Sequence, residues 1–520
     1  MESSPHWITL KGMIHSIIYM LKRLPFRMHM LGEKHRKVRE EVLRRVKPTP
    51  EEDRRIEEVV QELMERIERA KELLQLPWEI RAELVGSIAK GTHLKDPDID
   101  IFLLFPRGVG VETLHTVGLK LCLEVLPQGQ KLYTQHPYIH GEFMGFEVDL
   151  VPCFEMKKGE EIGSMVDRTP LHTRFVKEHL DESGKDEVRL LKAFLKGIKA
   201  YGAEEAVKGM SGYLAELFII KFSNFEKTLQ ELSRIRPHTK LTLGGREAAV
   251  AVRRKYTDDD PLIFIDPVDP SRNVASALSA ENLLYVKKAA CCYLRAPSLS
   301  FFFPRRISEI DGAKDIVWEK VQAILGSGGG ILLLTVDLPP VQADIYTSQT
   351  RRFLKRAVET FEREGFRKIK SGFYIYSPPR VGPFPAPRIK EHIESERVEL
   401  VMLFIFPQYR KGERKLHLGP PVHVKARAED FRRKWEGREE ALSRIFIRDG
   451  RLALYIRRRM REPHQMLPVV LKALPSHLKK AYESRITISV NRGIDIERYW
   501  EALYLALSGR ELWELDEDTG

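Results

Sequence analysis

Residues 86–92 read GSIAKGT, and residues 98–105 read DIDIFLLF. The turn opened by Gly86 lets the main chain come close to a bound phosphate group, and Ser87 adds a hydroxyl donor inside that turn. Lys90 lies within reach as a cation. The apolar end of the second stretch predicts a strand. Together the two stretches predict a phosphate-holding turn that leads into a strand of an α/β domain.

Acidic residues accompany two strand-like runs. Asp98 and Asp100 are two positions apart, so on an extended strand both side chains point to one face, roughly 7 Å apart along it. A third carboxylate, Asp149, lies in the apolar run EVDLV at 147–151. Oxygen ligands suit Mg²⁺, and two such ions about 4 Å apart support an in-line displacement at phosphorus. If the two runs form neighbouring strands, the three carboxylates are expected to hold two Mg²⁺ ions.

Each part of this pattern is ordinary by itself. A Gly-Ser dipeptide occurs in many turns, and a pair of acids at a strand start more often caps or solvates an edge than binds a metal ion. The order of the parts is more specific: Gly-Ser, a short spacer, two acids entering an apolar strand, then a second acidic strand about fifty residues later. The combination favours a phosphoryl-transfer site over a solvated edge.

Further stretches extend the pattern: VDRTPLH (166–172), EVRLLK (187–192), YGAE (201–204), GYL (212–214), DPVD (266–269), RNVA (272–275) and APSL (296–299). With them the chain resembles the polymerase-beta-type nucleotidyltransferase superfamily and, within it, the archaeal (class I) CCA-adding enzymes. The resemblance covers roughly residues 45–300 and continues more loosely to the C-terminus.

The resemblance implies an enzyme, a CCA tRNA nucleotidyltransferase. Such an enzyme adds C, C and A to the 3′ end of tRNA from CTP and ATP without a template, and it releases pyrophosphate by two-metal nucleotidyl transfer with Mg²⁺. The implied partners are the acceptor and T arms of tRNA and the two nucleotides. The family is often dimeric, so a homodimer is expected.

The resemblance also implies a role for each matching residue. The metal ligands and catalytic carboxylates would be Asp98, Asp100 and Asp149, the triphosphate contacts Ser87 and Lys90, the further nucleotide contacts His172, Lys192 and Tyr201, and the base-selecting residue, acting with the RNA end, Arg272. Three departures affect fine geometry. Lys90 stands where the family often has Arg, Asp98 stands where some relatives have Glu, and the spacer before Asp98 is about one residue short.

A non-functional interpretation exists for four of these residues. His172 could be an ordinary surface histidine, and Lys192 could lay its stem on apolar surface with its ammonium in water. Tyr201 could close a helix, and Arg272 could pair with Asp269. Their order and their neighbours favour the functional interpretation.

The predicted architecture is multidomain, with α/β and α+β parts. A capping box at Thr49 and Glu52, with Pro50 between them, predicts the start of a long amphipathic helix that ends before Pro77. We expect an N-terminal extension (1–44, disordered or a mis-assigned start), a polymerase-beta-like nucleotidyltransferase head (45–182) and a helical neck (183–300). An α/β body and tail that bind tRNA (301–511) and an acidic C-terminal tail (512–520) follow.

Apolar runs predict individual elements within these parts. Strands are expected at 80–85, 330–336, 398–406 and 445–456, and helical spacing of apolar residues dominates from about 187 to 295. Prolines at 378–387 predict a loop.

Composition sets weaker bounds. The net charge of +12 suits a polyanionic partner, because each phosphate that Lys or Arg neutralises releases a counterion. Basic clusters at 432–434 and 457–461 could touch RNA or could be merely solvated. The four cysteines show no metal-site spacing, and no apolar segment is long enough to span a bilayer, so a cytoplasmic location without membrane association is expected.

Two rival functions remain at this point. A poly(A) or oligoadenylate polymerase would use ATP alone and ignore the acceptor stem. An RNA-binding protein with a vestigial site would release no pyrophosphate, although the intact set of three carboxylates argues against it.

Overall fold

The computed structural model describes residues 32–133, 137–156, 166–205, 207–243, 260–305, 307–339, 343–367, 369–376, 398–482, 486–509 and 512–514. The predicted extension up to residue 31, a proline-rich loop at 378–387 and the acidic tail from residue 515 lie outside these residues. The described chain forms two compact units. The first contains the residues up to Arg305 together with 512–514, and the second contains those from 307 to 509.

The first unit begins with a helix, α1, over residues 32–46. Val38 and Val42 of α1 are buried in the same hydrophobic core as Leu191. Arg39 forms ion pairs with Glu187 and Glu226. Residues 32–44, which the sequence analysis assigned to an N-terminal extension, therefore belong to the first unit. Apolar spacing and a partly buried ion-pair network hold α1 in place.

The predicted capping box is present. Thr49 caps α2 (Pro50–Leu73): its hydroxyl accepts from the Glu52 backbone N–H at 3.2 Å, and the Glu52 carboxylate accepts from the Thr49 N–H at 2.6 Å. The buried face of α2 carries Ile56, Val59, Leu63, Ile67 and Ala70, at the predicted spacing.

A five-stranded sheet follows, in the order β1-β2-β5-β4-β3. β2 and β5 pair in parallel, and the other neighbours pair antiparallel. Its strands are β1 (Arg81–Leu84), β2 (Ile99–Phe105), β3 (Gln130–Tyr133), β4 (Pro137–Phe143) and β5 (Phe146–Phe154), and its connections contain α3 (Gly86–Lys90), α4 (Val111–Thr113) and α5 (Leu119–Val125). Strands β1, β2 and β5 were predicted, whereas β3 and β4 were not.

Helices dominate the rest of the first unit, as the periodicity predicts. They are α6 (Thr169–His179), α7 (Glu182–Gly197), α8 (Gly212–Phe222), α9 (Phe225–Arg234) and α10 (Ala280–Arg295), with a short parallel pair, β6 (Thr239–Leu241) and β7 (Leu262–Phe264). Their core is aromatic: Phe194 lies within 6.0 Å, ring to ring, of Phe225, Tyr293 and Phe301. Trp513 stacks on Phe301, so the part of the predicted tail that is described packs in this core.

The second unit contains two antiparallel sheets, ordered β14-β8-β10-β9 and β11-β13-β12. Its strands are β8 (Gly330–Leu338), β9 (Lys370–Tyr376), β10 (Val398–Phe406), β11 (Arg414–Pro421), β12 (Phe446–Arg448), β13 (Arg451–Arg457) and β14 (Ile486–Val490). Its helices are α11 (Ala313–Gly326), α12 (Ala343–Arg363), α13 (Lys425–Trp435), α14 (Leu467–Val470), α15 (Ser476–Tyr482) and α16 (Ile496–Leu507). Among the helices of the described residues, none combines the length and the apolar character needed to cross a bilayer.

One predicted strand of this unit proved to be two. The apolar run at 445–456 forms the hairpin β12–β13, because Asp449 and Gly450 both adopt positive φ angles (47° and 73°). An Asp-Gly pair between strands is a strong hairpin signal.

Candidate active site

The GSIAKGT stretch forms a tight turn and the short helix α3 between the antiparallel strands β1 and β2. The Val85 N–H donates to the Asp100 carbonyl at 2.9 Å, so the turn starts directly beside that aspartate. Gly86 has a φ of 71°, and a Cβ atom at this position would overlap the Asp100 carboxylate. Both the backbone angle and the close approach therefore require glycine. Ser87, half-buried, occupies the second position of α3.

The carboxylates meet at the parallel pair of strands. Asp100 on β2 and Asp149 on β5 are direct register partners, which places both side chains on one face of the sheet. Asp98 lies exposed just before β2. Burial and then the charges of Asp149 and Asp98 raise the pKa of Asp100 to about 7, against a smaller opposing effect of Lys90. The three acids are thus close enough for one to disfavour the ionisation of another.

The three aspartates are neighbours, but their carboxylate groups do not meet at one point. His140 on β4 is the other register partner of Asp149, and its Nδ1 donates to Asp149 Oδ1 at 2.7 Å. In the part of the chain that the structure describes, no group of three His, Cys, Asp or Glu side chains is arranged closely enough to hold a metal ion. Side-chain rotation, including release of Asp149 from His140, would be needed to bring the three together.

A buried charged cluster lies beside α3. Glu216 on α8 accepts from Lys90 Nζ at 2.8 Å, from Thr92 Oγ1 at 2.7 Å and from Lys192 Nζ at 3.2 Å. Lys192 on α7 also donates to the Thr92 hydroxyl at 3.0 Å. All four side chains are buried. Burial alone would raise the pKa of Glu216, but Lys90 and Lys192 outweigh it and hold that pKa below its ordinary value.

A second cluster is organised by Asp266, which is fully buried. His172 Nε2 donates to its Oδ2 at 2.9 Å, Arg272 donates to the same oxygen at 3.0 Å, and the Tyr213 hydroxyl donates to Oδ1 at 3.2 Å. The His172 ring stacks on Tyr213 with centroids 3.9 Å apart. Burial lowers the pKa of His172, and the nearby Asp266 carboxylate opposes that shift. One carboxylate therefore fixes three side chains.

Two further contacts join these groups. Lys90 Nζ lies 5.3 Å from the Tyr213 ring centroid, which connects the Glu216 and Asp266 clusters. Lys196, one turn after Lys192 on α7, is exposed, and its Nζ lies 5.4 Å from the Tyr201 ring centroid. Although the residue as a whole is exposed, partial desolvation of the Lys196 ammonium group lowers its pKa, and the negative charge of Asp98 opposes that shift.

The non-functional interpretations of three of the predicted residues are wrong. His172 is buried rather than on the surface, and the Lys192 ammonium is buried rather than in water. Tyr201 does not end a helix; it forms an isolated bridge with Met210. The carboxylates bonded to two of these side chains are Asp266, for His172, and Glu216, for Lys192; position alone does not assign their roles.

The alternative proposed for Arg272 also fails, since its carboxylate partner is different. Arg272 pairs with Asp266, and Asp269 instead accepts from Arg168 at 2.7 Å. The sequence analysis assigned no role to Glu216, Asp266 or Lys196, although Asp266 begins the quoted stretch DPVD. A single acid inside the apolar helix GYLAELFIIKF was the available signal for Glu216.

Family profiles match both halves of this site. A profile described as a nucleotidyltransferase domain matches residues 49–172, and one described as tRNA nucleotidyltransferase, second domain, matches residues 186–303. The CCA-adding enzyme of Thermoplasma acidophilum is 34% identical over 411 residues, which cover 79% of this chain and 84% of that protein. This chain belongs to the CCA-adding enzyme family.

Other members of the CCA-adding enzyme family are also similar to this chain over most of their length. The enzyme of Sulfurisphaera tokodaii is 40% identical over 64% of this chain and 73% of its own length, and that of Haloarcula marismortui is 34% identical over 76% and 81%. A solved structure of E. coli MS115-1 CdnC with ATP has a TM-score of only 0.40 and 21% identity over 51% of this chain and 94% of that chain, which is too distant to inform function. The chain is thus a tRNA nucleotidyltransferase with a mixed α/β fold.

Proposed function

We propose that this tRNA nucleotidyltransferase adds C, C and A in turn to the 3′ end of tRNA, from CTP and ATP, with release of pyrophosphate. The observation that carries the proposal is the parallel register of Asp100 and Asp149 beneath the Gly86 turn. That register puts two candidate metal ligands at the place where a triphosphate would lie against the backbone of the turn.

The residues divide the work as follows. Asp98, Asp100 and Asp149 would hold two Mg²⁺ ions, which when bound supply activation of the 3′-hydroxyl and neutralisation of the leaving pyrophosphate. Ser87 and Lys90 bind the triphosphate from the turn, and Lys192 binds it from α7. His172 and Tyr201 orient the nucleotide. Arg272, together with the RNA end, selects the base.

The carboxylates suit divalent cations electrostatically. Burial, and then the charges of Asp149 and Asp98, raise the pKa of Asp100 to about 7, so full ionisation of the three acids is unfavourable without a counter-charge. Oxygen donors of this kind are those that Mg²⁺ prefers. A cation that unites them would relieve the repulsion and would compensate for the hydrogen bond that Asp149 gives up.

Binding of Mg²⁺ should therefore depend on pH. The pKa of Asp100 is raised from 3.8 to about 7 in the folded chain, so below pH 7 a proton competes with the ion. We expect apparent Mg²⁺ affinity to rise by up to about tenfold per pH unit from pH 5.5 to 7 and then to level off. Thermal shift titrations with Mg²⁺ at four pH values measure this. Affinity independent of pH would contradict the shared-carboxylate site.

The raised pKa of Asp100 also makes the stability of the metal-free protein depend on pH. Between pH 4 and 7 the folded chain binds the Asp100 proton more tightly than the unfolded chain does, so this group lowers stability as pH rises through that range. Saturating Mg²⁺ should reduce the effect, and an Asp100→Asn variant should lack it.

Replacing Arg272 with Ala should impair nucleotide selection more than folding. The Arg272 side chain is about one-third exposed, so it can reach a base while Asp266 holds its guanidinium. A guanidinium contact to a base edge is worth about 1–3 kcal/mol, so selection of CTP and ATP over UTP and GTP should fall at least about fivefold. Incorporation assays with each nucleotide measure this. Arg168→Ala, which removes a neighbouring Arg–Asp pair, is the matched control; unchanged selectivity in Arg272→Ala would oppose the assignment.

The test of the function is incorporation of labelled CTP and ATP into tRNA trimmed to its discriminator base. Addition that stops after two C and one A supports the proposal. A poly(A) or oligoadenylate polymerase would use ATP alone and would not stop there. A vestigial site would release no pyrophosphate when Mg²⁺ is added, which would overturn the proposal.

We also propose the head (45–182), neck (183–300), and body and tail (301–511) organisation, a homodimer, and contact with the acceptor and T arms of tRNA. Of the two basic clusters, that of α13 presents Arg432, Arg433 and Lys434 to solvent. In that cluster Arg433 pairs with Asp430, whereas in the other cluster both exposed arginines, Arg457 and Arg459, pair with glutamates. The α13 cluster is therefore the better candidate for RNA contact.

A further inference from the structure

One buried carboxylate has no part in the mechanism above. Glu216 is 1% exposed and accepts hydrogen bonds from Lys90, Lys192 and Thr92. Its partners come from different elements: Lys90 ends α3, Thr92 follows it, and Lys192 lies on α7. Within the described residues, no other carboxylate accepts from either lysine. Both lysines are those assigned above to the triphosphate.

We propose that Glu216 is the positioning residue of the triphosphate site, setting both the geometry and the net charge of Lys90 and Lys192. The inference rests on the proposed function, because that function assigns the two lysines. It deepens the function by naming the group through which these cations are kept ionised and aimed at one place.

The charge balance carries the argument. Two ammonium groups and one carboxylate leave a net charge of +1 in a buried site. An isolated buried cation loses its proton readily, and a neighbouring cation strengthens that tendency. Burial and Lys90 lower the pKa of Lys192, while the Glu216 carboxylate opposes both. Glu216 therefore keeps a buried lysine charged until an anionic triphosphate arrives.

Other ionisable groups around the cluster cannot replace Glu216. They are Lys196 and Tyr201 on and after α7, Tyr213 on α8, His172 on α6, and Asp98 and Asp100 at β2. Of these acids, Asp100 faces Asp149 across the parallel strand pair. Substitution of Gln at 216 would keep an acceptor for Thr92. It would remove the one carboxylate that, among the residues the structure describes, accepts from both ammonium groups.

The experiment compares ATP and CTP dissociation constants, with Mg²⁺ and without tRNA, for the wild-type chain, Glu216→Gln and Glu216→Asp between pH 6.5 and 9. The nucleotide dissociation constant of Glu216→Gln should rise with pH, because one lysine loses its proton. Over this range it should rise at least about tenfold more than that of the wild type. Glu216→Asp should restore most of the wild-type profile. Identical pH profiles for the wild type and Glu216→Gln would overturn the proposal, since a purely structural role would weaken binding equally at every pH.

A charge-balanced variant covers the case in which Glu216→Gln does not fold. Lys90→Met combined with Glu216→Gln keeps the net charge of +1, so it should fold and bind nucleotide weakly. Its binding should weaken more steeply with rising pH than that of Lys90→Met alone, in which Glu216 still accepts from Lys192. Identical pH profiles for Lys90→Met and the double variant would overturn the charge argument.

The binding assay contains no tRNA and therefore separates this inference from the proposed function. If the wild type fails to add C, C and A yet Glu216→Gln shows the expected pH dependence, only the function fails. If addition is normal and the pH profiles coincide, only the inference fails.

Discussion

Replacing Asp149 with Asn is expected to abolish nucleotide addition while leaving tRNA binding nearly unchanged. Asp149 faces Asp100 across the parallel strand pair, so the substitution removes a negative ligand from the centre of the site while preserving its shape. Loss of metal-assisted charge stabilisation should lower kcat by on the order of 10³-fold, or about 4 kcal/mol in activation free energy. Asp98→Asn should behave in the same way. Incorporation assays and filter binding of tRNA measure the two quantities.

His140→Ala is the matched control for Asp149. It removes the 2.7 Å hydrogen bond to the same carboxylate but leaves the negative charge in place. We expect a loss far smaller than that of Asp149→Asn. Normal turnover by Asp149→Asn or Asp98→Asn would remove the metal assignment.

Replacing Gly86 with Ala should lower activity on the order of 100-fold, with a modest loss of stability. The added Cβ would overlap the Asp100 carboxylate, and displacement of a reacting group by about 1 Å can cost 10²-fold in rate. The φ of 71° adds backbone strain of about 1–2 kcal/mol. Assays of kcat and of thermal unfolding separate the two effects.

Gly108→Ala provides the comparison, because a Cβ at Gly108 would meet no atom within 4 Å. Its activity should be close to that of the wild type. A Gly86→Ala variant with full activity would show that the close approach of turn and carboxylate is not needed for catalysis.

The sequence predicted local structure best where a physical signal was strong. The Thr49 capping box and the periodicity after it predicted α2, and the bounds predicted for β2 and β10 agree with the structure. Strands β3 and β4 escaped because both are rich in polar and aromatic residues and lack a clear apolar run. The prediction of a single strand over 445–456 was wrong because the turn signal of Asp449-Gly450 was not used.

The sequence named candidate site residues but not the contacts between them. It predicted the strands that carry Asp100 and Asp149, and it left their adjacency as a condition, which the register meets. Carboxylates supplied by distant helices and loops were not foreseeable, since pairing of Glu216 with Lys90 spans 126 positions and pairing of Asp266 with His172 spans 94. Such partners depend on tertiary packing, which spacing along the chain does not encode.

Buried hydrogen bonds and ion pairs join the two stretches of the chain that match the two family domains. Lys90, Thr92 and His172 belong to the stretch 49–172, whereas the carboxylates that neutralise or anchor them, Glu216 and Asp266, belong to 186–303. The matched nucleotidyltransferase domain is therefore not a portable module. Excised at residue 172 it would retain its aspartates but lose both carboxylates that hold Lys90, Thr92 and His172 in place. A graft into another protein would have to carry the helices up to Phe222 and the Asp266 loop with it.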